Sequence, residues 1–187
     1  MKINVPTALT LFRIALIPIL ILVFYFPIPG SRTLSALIFM VAAFSDWLDG
    51  YLARKLDLTS RFGAFLDPVA DKLIVVTALV VLLQENPSIL FMISTVVIIG
   101  REITISALRE WMAEIGQRTS VSVSYIGKIK TAVQMIAITL LLYQADIAGI
   151  PAYTTGLYIL YISVALTLWS MMQYLIAAWP ALQDEDA

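Results

Sequence analysis

Six long apolar runs, separated by short polar or turn-forming stretches, set the outline of the chain. The first, residues 8–26, carries one charge, Arg13, and one proline, Pro18. At 19 residues it is too long for a signal-peptide core and lacks a small-x-small cleavage site, so it reads as a retained helix. Pro27, Pro29 and Gly30 then mark a turn. The second run starts near Thr33 and stays apolar to Phe44 before meeting Ser45 and Asp46. The third covers residues 63–83 and ends at Gln84, Glu85, Asn86 and Pro87. The fourth begins at Ile89, meets Arg101 and Glu102, and continues in the helical pattern ITISALREWMAEIG. The fifth runs from about Tyr125 to Tyr143, and the sixth, residues 152–179, contains no charge. There is no internal repeat. The pattern predicts an all-α integral membrane protein of six transmembrane helices, one domain over residues 1–187 with a short acidic tail from about residue 181.

Composition agrees. The 187 residues are 60% hydrophobic and 13% charged, with a mean hydropathy of +0.91, where a soluble domain carries about 25% charged residues. The net charge of −1 implies no general attraction to nucleic acid. The chain has no Cys and no His. Disulfides, thiol nucleophiles and the usual zinc ligands are thereby excluded, and acid–base work falls mainly to carboxylates.

The basic residues set the orientation. With six spans and both termini on one side, that side collects eleven of the 12 Lys and Arg residues, and the other has only Arg32. The positive-inside rule then puts the termini and residues 46–71 on the cytoplasmic side of the membrane. Counted inward from the outer end, helices one to five run only about 11–13 residues, roughly 17–20 Å, before Arg13, Asp46, Lys72, Arg101 and Lys130, against a hydrocarbon core of roughly 30 Å. A charged, water-accessible cavity in the cytoplasmic half is therefore expected. The uncharged sixth helix is expected to face lipid or to pack.

Residues 46–71, DWLDGYLARKLDLTSRFGAFLDPVAD, hold the candidate chemistry. Asp46/Asp49 and Asp67/Asp71 are spaced three and four apart, so on helices each pair presents two carboxylates on one face. Gly50 and Ala53 leave bare backbone beside the first pair, and Gly63 stands one turn before the second. Some of these acids could instead pair with Arg54, Lys55 or Lys72 as interfacial salt bridges. The cost of intramembrane charge favours function, because four converging carboxylates need compensating cations. Oxygen-only ligands suit hard ions such as Mg²⁺, Mn²⁺ or Ca²⁺, and four acids can hold two metals in the arrangement used for phosphoryl displacement.

The spacing D-x2-D-G-x2-A-R-x8-G-x3-D-x3-D, filled by Asp46, Asp49, Gly50, Ala53, Arg54, Gly63, Asp67 and Asp71, resembles without a departure the signature of the CDP-alcohol phosphotransferase family. The resemblance implies a six-helix membrane enzyme, a homodimer, that moves the phosphate-bearing part of a CDP-linked donor onto an acceptor hydroxyl and releases CMP. It implies that Asp46, Asp49 and Asp67 are metal ligands and that Asp71 is both a ligand of the second metal and the general base. It further implies that Gly50 and Ala53 admit the cytidine nucleotide, that Arg54 contacts donor phosphate, and that Gly63 borders the nucleotide pocket. The stretches NVPTALTLFRIALIP, SRFGAFLDPVADKL, REITISALREWMAE and SVSYIGKIKTAVQM look like the glycerol-phosphate branch of the family, which implies CDP-diacylglycerol as donor and sn-glycerol 3-phosphate as acceptor. Serine, an inositol phosphate or phosphatidylglycerol are the alternative acceptors, and a divalent-cation transporter is the alternative from another class.

A dianionic acceptor needs fixed cations, which Arg101, Arg109, Arg118, Lys128 and Lys130 can supply. The same residues can instead enforce orientation and bind anionic lipid. Arg118 and Lys128 flank the turn into the fifth helix and are the favoured pair. Arg109 can instead be held by Glu110 or Glu114 on a solvated face. Thr10 and Arg13 are placed on the nucleotide side, with helix packing the ordinary role of such a threonine.

Overall fold

The computed structural model describes residues 4–56, 61–116 and 125–183. Among these the chain forms six α-helices: α1 (Val5–Tyr25), α2 (Ser31–Leu56), α3 (Arg61–Glu85), α4 (Ile89–Glu114), α5 (Tyr125–Tyr143) and α6 (Ala152–Gln183). Four of them contain stretches long and apolar enough to cross a membrane: Val5–Tyr25, Ser31–Leu52, Ile89–Glu114 and Ala152–Trp179. The apolar part of α5, Ile129–Tyr143, is shorter, and α3 carries Asp67, Asp71 and Lys72 in its first half.

The punctuation is local. Asn4 caps α1, its side chain accepting from the Thr7 backbone N–H at 3.1 Å, and Ser88 caps α4 by accepting from the Phe91 N–H at 3.1 Å. Gly30 turns α1 into α2 with φ +81°, a conformation that favours glycine. Between α5 and α6, Ile147 and Ile150 exchange backbone hydrogen bonds of 3.0 and 2.9 Å across Ala148 and Gly149, both at positive φ, as in a tight hairpin turn.

The helices fall into two compact units, Met1–Asn86 with Ile138–Gly156, and Pro87–Ala137 with Leu157–Ala187. In the first, α1 packs on both α2 and α3. Its core is built from Leu20 and Phe24 of α1, Phe39 and Ala42 of α2, and Ala70, Ile74 and Leu79 of α3. At the end of this unit away from the aspartates, Tyr25 donates to Gln84, while Glu85 accepts from Arg32 and from Gln144, the latter at 2.9 Å. In the second unit Ile105 and Met112 of α4 pack with Tyr174 and Ala178 of α6.

In α6 the buried positions Leu160, Ser163, Thr167, Ser170, Tyr174 and Ala178 recur every three or four residues and form one stripe. Half of these side chains carry hydroxyls on aliphatic stems, and those of Ser163 and Ser170 donate back to the Leu160 and Thr167 carbonyls at 2.7 and 3.0 Å.

Phe39 is 1% exposed and Phe44 on the same helix is 59% exposed. Phe39→Ala is expected to cost on the order of 3 kcal/mol through the cavity it leaves, and Phe44→Ala much less. Thermal melting in detergent checks this; equal effects would contradict the packing described.

Candidate active site

The carboxylates predicted to act together do meet, and what gathers them is a cation on α1. Arg13 is fully buried. Its guanidinium pairs with Asp49 of α2 and with Asp71 of α3, and its Nη1 lies 3.2 Å from Asp46. Its Nε donates to the Ser45 hydroxyl at 3.4 Å, while that hydroxyl donates onward to the Ala42 carbonyl at 2.8 Å. One turn earlier on α1, the Thr10 hydroxyl lies within reach of the Pro6 carbonyl, 3.1 Å away, and donates to Asp67. Two α1 residues three apart thus touch all four aspartates.

The helices make this possible. Asp46 and Asp49 share a face of α2 with half-buried Gly50. Asp67 and Asp71 share a face of α3, with buried Gly63 one turn before them and Pro68 between them. The Asp49 side chain is 4% exposed, whereas those of Asp46 and Asp71 are each 42% exposed. The cluster is therefore anchored at one end and open at the other.

One guanidinium does not balance four carboxylates, and the surplus negative charge calls for further cations. The donors are all hard oxygens, which fits Mg²⁺ or Mn²⁺. Among the described residues no three carboxylates are disposed as a metal-ligating group; three of them close on Arg13 instead. Donor chemistry and charge fit divalent metal, and the Arg13 guanidinium stands among the would-be ligands.

The predicted acceptor residues lie in the second unit. Glu102 of α4 accepts from Lys130 of α5 at 2.5 Å and from Arg101 at 3.0 Å. Arg101 and Lys130 are 8% and 1% exposed. Arg101 also donates to Ser170 at 3.4 Å. Arg109 donates to the Tyr174 hydroxyl at 2.8 Å; the sequence expectation offered Glu110 or Glu114 as its neighbours. Arg118 lies outside the described residues, as do the side chains of Ala53, Arg54 and Lys128.

Sequence reasoning missed Ser45, Glu102, Ser170 and Tyr174. Ser45 had a signal, because it precedes Asp46 and stands one turn before Asp49. Glu102 had one too, as an acid beside an arginine within an apolar run. Ser170 and Tyr174 had none, since their partners are 69 and 65 positions away.

A membrane-type helical chain with this carboxylate cluster belongs to the CDP-alcohol phosphatidyltransferase family, whose pattern matches residues 3–169. The chain is 50% identical, over 185 residues covering 99% of it and 100% of the relative, to the CDP-diacylglycerol–glycerol-3-phosphate 3-phosphatidyltransferase of Escherichia coli K12. Proteins of the same name from Shigella flexneri serotype 5b and Shigella sonnei are similar to the same extent, 50% over 185 residues.

Removing the Arg13 charge leaves Asp49 buried without its cation. Arg13→Gln is expected to destabilise the metal-free protein by about 3 kcal/mol, with part of the loss recovered by Mg²⁺. Melting curves in EDTA and in Mg²⁺ read this out, and an unchanged melting temperature in EDTA would contradict the role given to Arg13.

Proposed function

We propose that this chain transfers the phosphatidyl group of CDP-diacylglycerol to the 1-hydroxyl of sn-glycerol 3-phosphate, giving phosphatidylglycerophosphate and CMP. The observation that carries the reading is the meeting of Asp46, Asp49, Asp67 and Asp71 against Thr10 and Arg13. End-to-end likeness to enzymes named for that donor and acceptor supports it.

Two divalent cations, Mg²⁺ or Mn²⁺, held by the four aspartates, would supply Lewis-acid stabilisation of the donor diphosphate and of the departing CMP. Asp71 takes the proton from the 1-hydroxyl of the acceptor. That oxygen attacks the β-phosphorus in line, and the phosphoanhydride bond to CMP breaks as the new ester forms. With no Cys or His in the chain, direct transfer is favoured over a covalent intermediate. Gly50, Ala53 and Gly63 admit the nucleotide, and Arg54 contacts donor phosphate. Thr10 and Arg13 shape the carboxylates beside it. Arg101, Arg109, Arg118, Lys128 and Lys130 supply the cations for the acceptor phosphate.

The setting proposed for this chemistry is the bacterial inner membrane. One domain crosses it six times, termini and carboxylates face the cytoplasm, a polar cavity in that half admits the soluble acceptor, and two copies form a homodimer. Eleven of the 12 basic residues on one side support the orientation.

CMP release by the purified protein in detergent, with CDP-diacylglycerol and Mg²⁺, is expected to require glycerol 3-phosphate and to stop in EDTA. Asp71→Asn is expected to lower it by roughly 10²–10⁴-fold. Release that instead requires serine, an inositol phosphate or phosphatidylglycerol would move the acceptor, and metal flux without release would replace the reaction by transport.

A further inference from the structure

The second unit holds a group of charged side chains that do not balance. Arg101, Arg109 and Lys130 stand with one carboxylate, Glu102, in a single network with Ser170 and Tyr174. Three cations against one carboxylate leave a charge of +2. Two of the three are more than nine-tenths buried, in helices of membrane-type composition. A buried surplus of this kind is costly without an anion to meet it.

One observation points to a ligand for this surplus. The Nε–H groups of Arg101 and of Arg109 are both buried and have no hydrogen-bond partner. Each guanidinium is also held from the side. Tyr174 takes the Arg101 guanidinium at 5.6 Å from its ring centroid and that of Arg109 at 5.2 Å. The tyrosine hydroxyl accepts from Arg109 as well. Arg101 and Arg109 are eight residues apart on α4, about 12 Å of helix, and a single ring on α6 ties them together. Glu102 does the equivalent for Lys130, accepting from its ammonium and from Arg101 with the same oxygen. A phosphate monoester carries about −1.5 to −2 charge near neutral pH and offers three acceptor oxygens, which matches a +2 site with donors to spare.

We propose that Glu102 and Tyr174 are positioning residues that set out Lys130, Arg101 and Arg109 as one site for a phosphate monoester dianion. The inference rests on the proposed reaction, in which those cations take the acceptor phosphate. Lys130 and the arginines are long, rotamer-rich side chains. Glu102 and Tyr174 hold them in place before the anion arrives, so affinity for the phosphate depends on two residues that do not touch it.

The test is CMP release against acceptor concentration for the wild type, Glu102→Gln, Tyr174→Phe, Tyr174→Leu and Arg101→Gln. Tyr174→Phe and Glu102→Gln are each expected to raise KM for glycerol 3-phosphate roughly tenfold, with KM for CDP-diacylglycerol and kcat at saturating acceptor held within about twofold. Tyr174→Leu, which also removes the ring, is expected to raise it further. Inorganic phosphate as a competitive inhibitor should weaken in step. A lower acceptor KM in Glu102→Gln would mean that the carboxylate competes for the cations, and would overturn its positioning role. An unchanged acceptor KM in Arg101→Gln would overturn the assignment of these cations to the acceptor, and this inference with it. A raised KM in Arg101→Gln beside unchanged values in Tyr174→Phe and Glu102→Gln would overturn the positioning role alone. Should Tyr174→Leu fail to fold, Tyr174→Phe decides.

Discussion

The first unit depends on one buried guanidinium. Four carboxylates on two neighbouring helices in apolar surroundings repel each other, and none of them can be desolvated without a cation. Arg13 supplies it from a third helix, and in doing so sets the register of α1. Apolar residues are spread around α1, with Leu11, Phe12, Ile19 and Leu22 exposed and Leu16, Leu20 and Phe24 buried. A helix apolar on every side has no stripe to tell it which face to bury or how far to slide. Thr10 and Arg13, each committed to particular carboxylates, remove that freedom.

The opposite end of the unit is fastened by the same kind of interaction. Tyr25 reaches Gln84, and Arg32 lies 3.9 Å from the Phe24 ring centroid while pairing with Glu85. Between Arg13 and Tyr25 there are twelve residues of helix, about 18 Å. That is well short of a hydrocarbon core of about 30 Å. For a chain that spans a bilayer, the two polar layers cannot both lie at its surfaces. Asp46 and Asp71 keep 42% of their side chains exposed, so the carboxylate layer is open on one side even though Arg13 is buried within it.

Several helix ends were legible because the apolar runs meet turn or cap signals there. Gly30 takes the positive φ that its place after Pro29 suggests, and Ser88 caps α4 one residue before the predicted start. Within the candidate site, the aspartates were legible from spacing alone, since two carboxylates three or four apart share a helix face whatever surrounds them. Their partner was not. The sequence places Arg13 on the nucleotide side, and its pairing with Asp49 and Asp71 spans 36 and 58 positions. Tertiary pairing of that range leaves no mark on local pattern. The sixth helix shows the same limit from the other direction. A run without charge reads as lipid-facing or packing, but nothing in it names a polar partner, and Ser170 and Tyr174 of α6 meet the arginines of α4.

The chain's net charge of −1 conceals a local separation. Around Arg13 negative charge is in excess, and around Glu102 positive charge is in excess. For the proposed reaction, which joins a diphosphate donor to a phosphate-bearing acceptor, such a separation suits the chemistry. Both substrates are anions and repel one another, so each needs its own compensation. A site built only from Arg and Lys would hold both but would offer no base to take the hydroxyl proton. A site built only from carboxylates and metal would supply the base and hold the diphosphate, yet it would repel the acceptor. Under the proposed reaction, in a chain without histidine, a carboxylate would serve as the base, and the acceptor's phosphate would be met by cations that a carboxylate of their own keeps in order. One acid among cations and one cation among acids are the same solution to burying charge, applied with opposite sign.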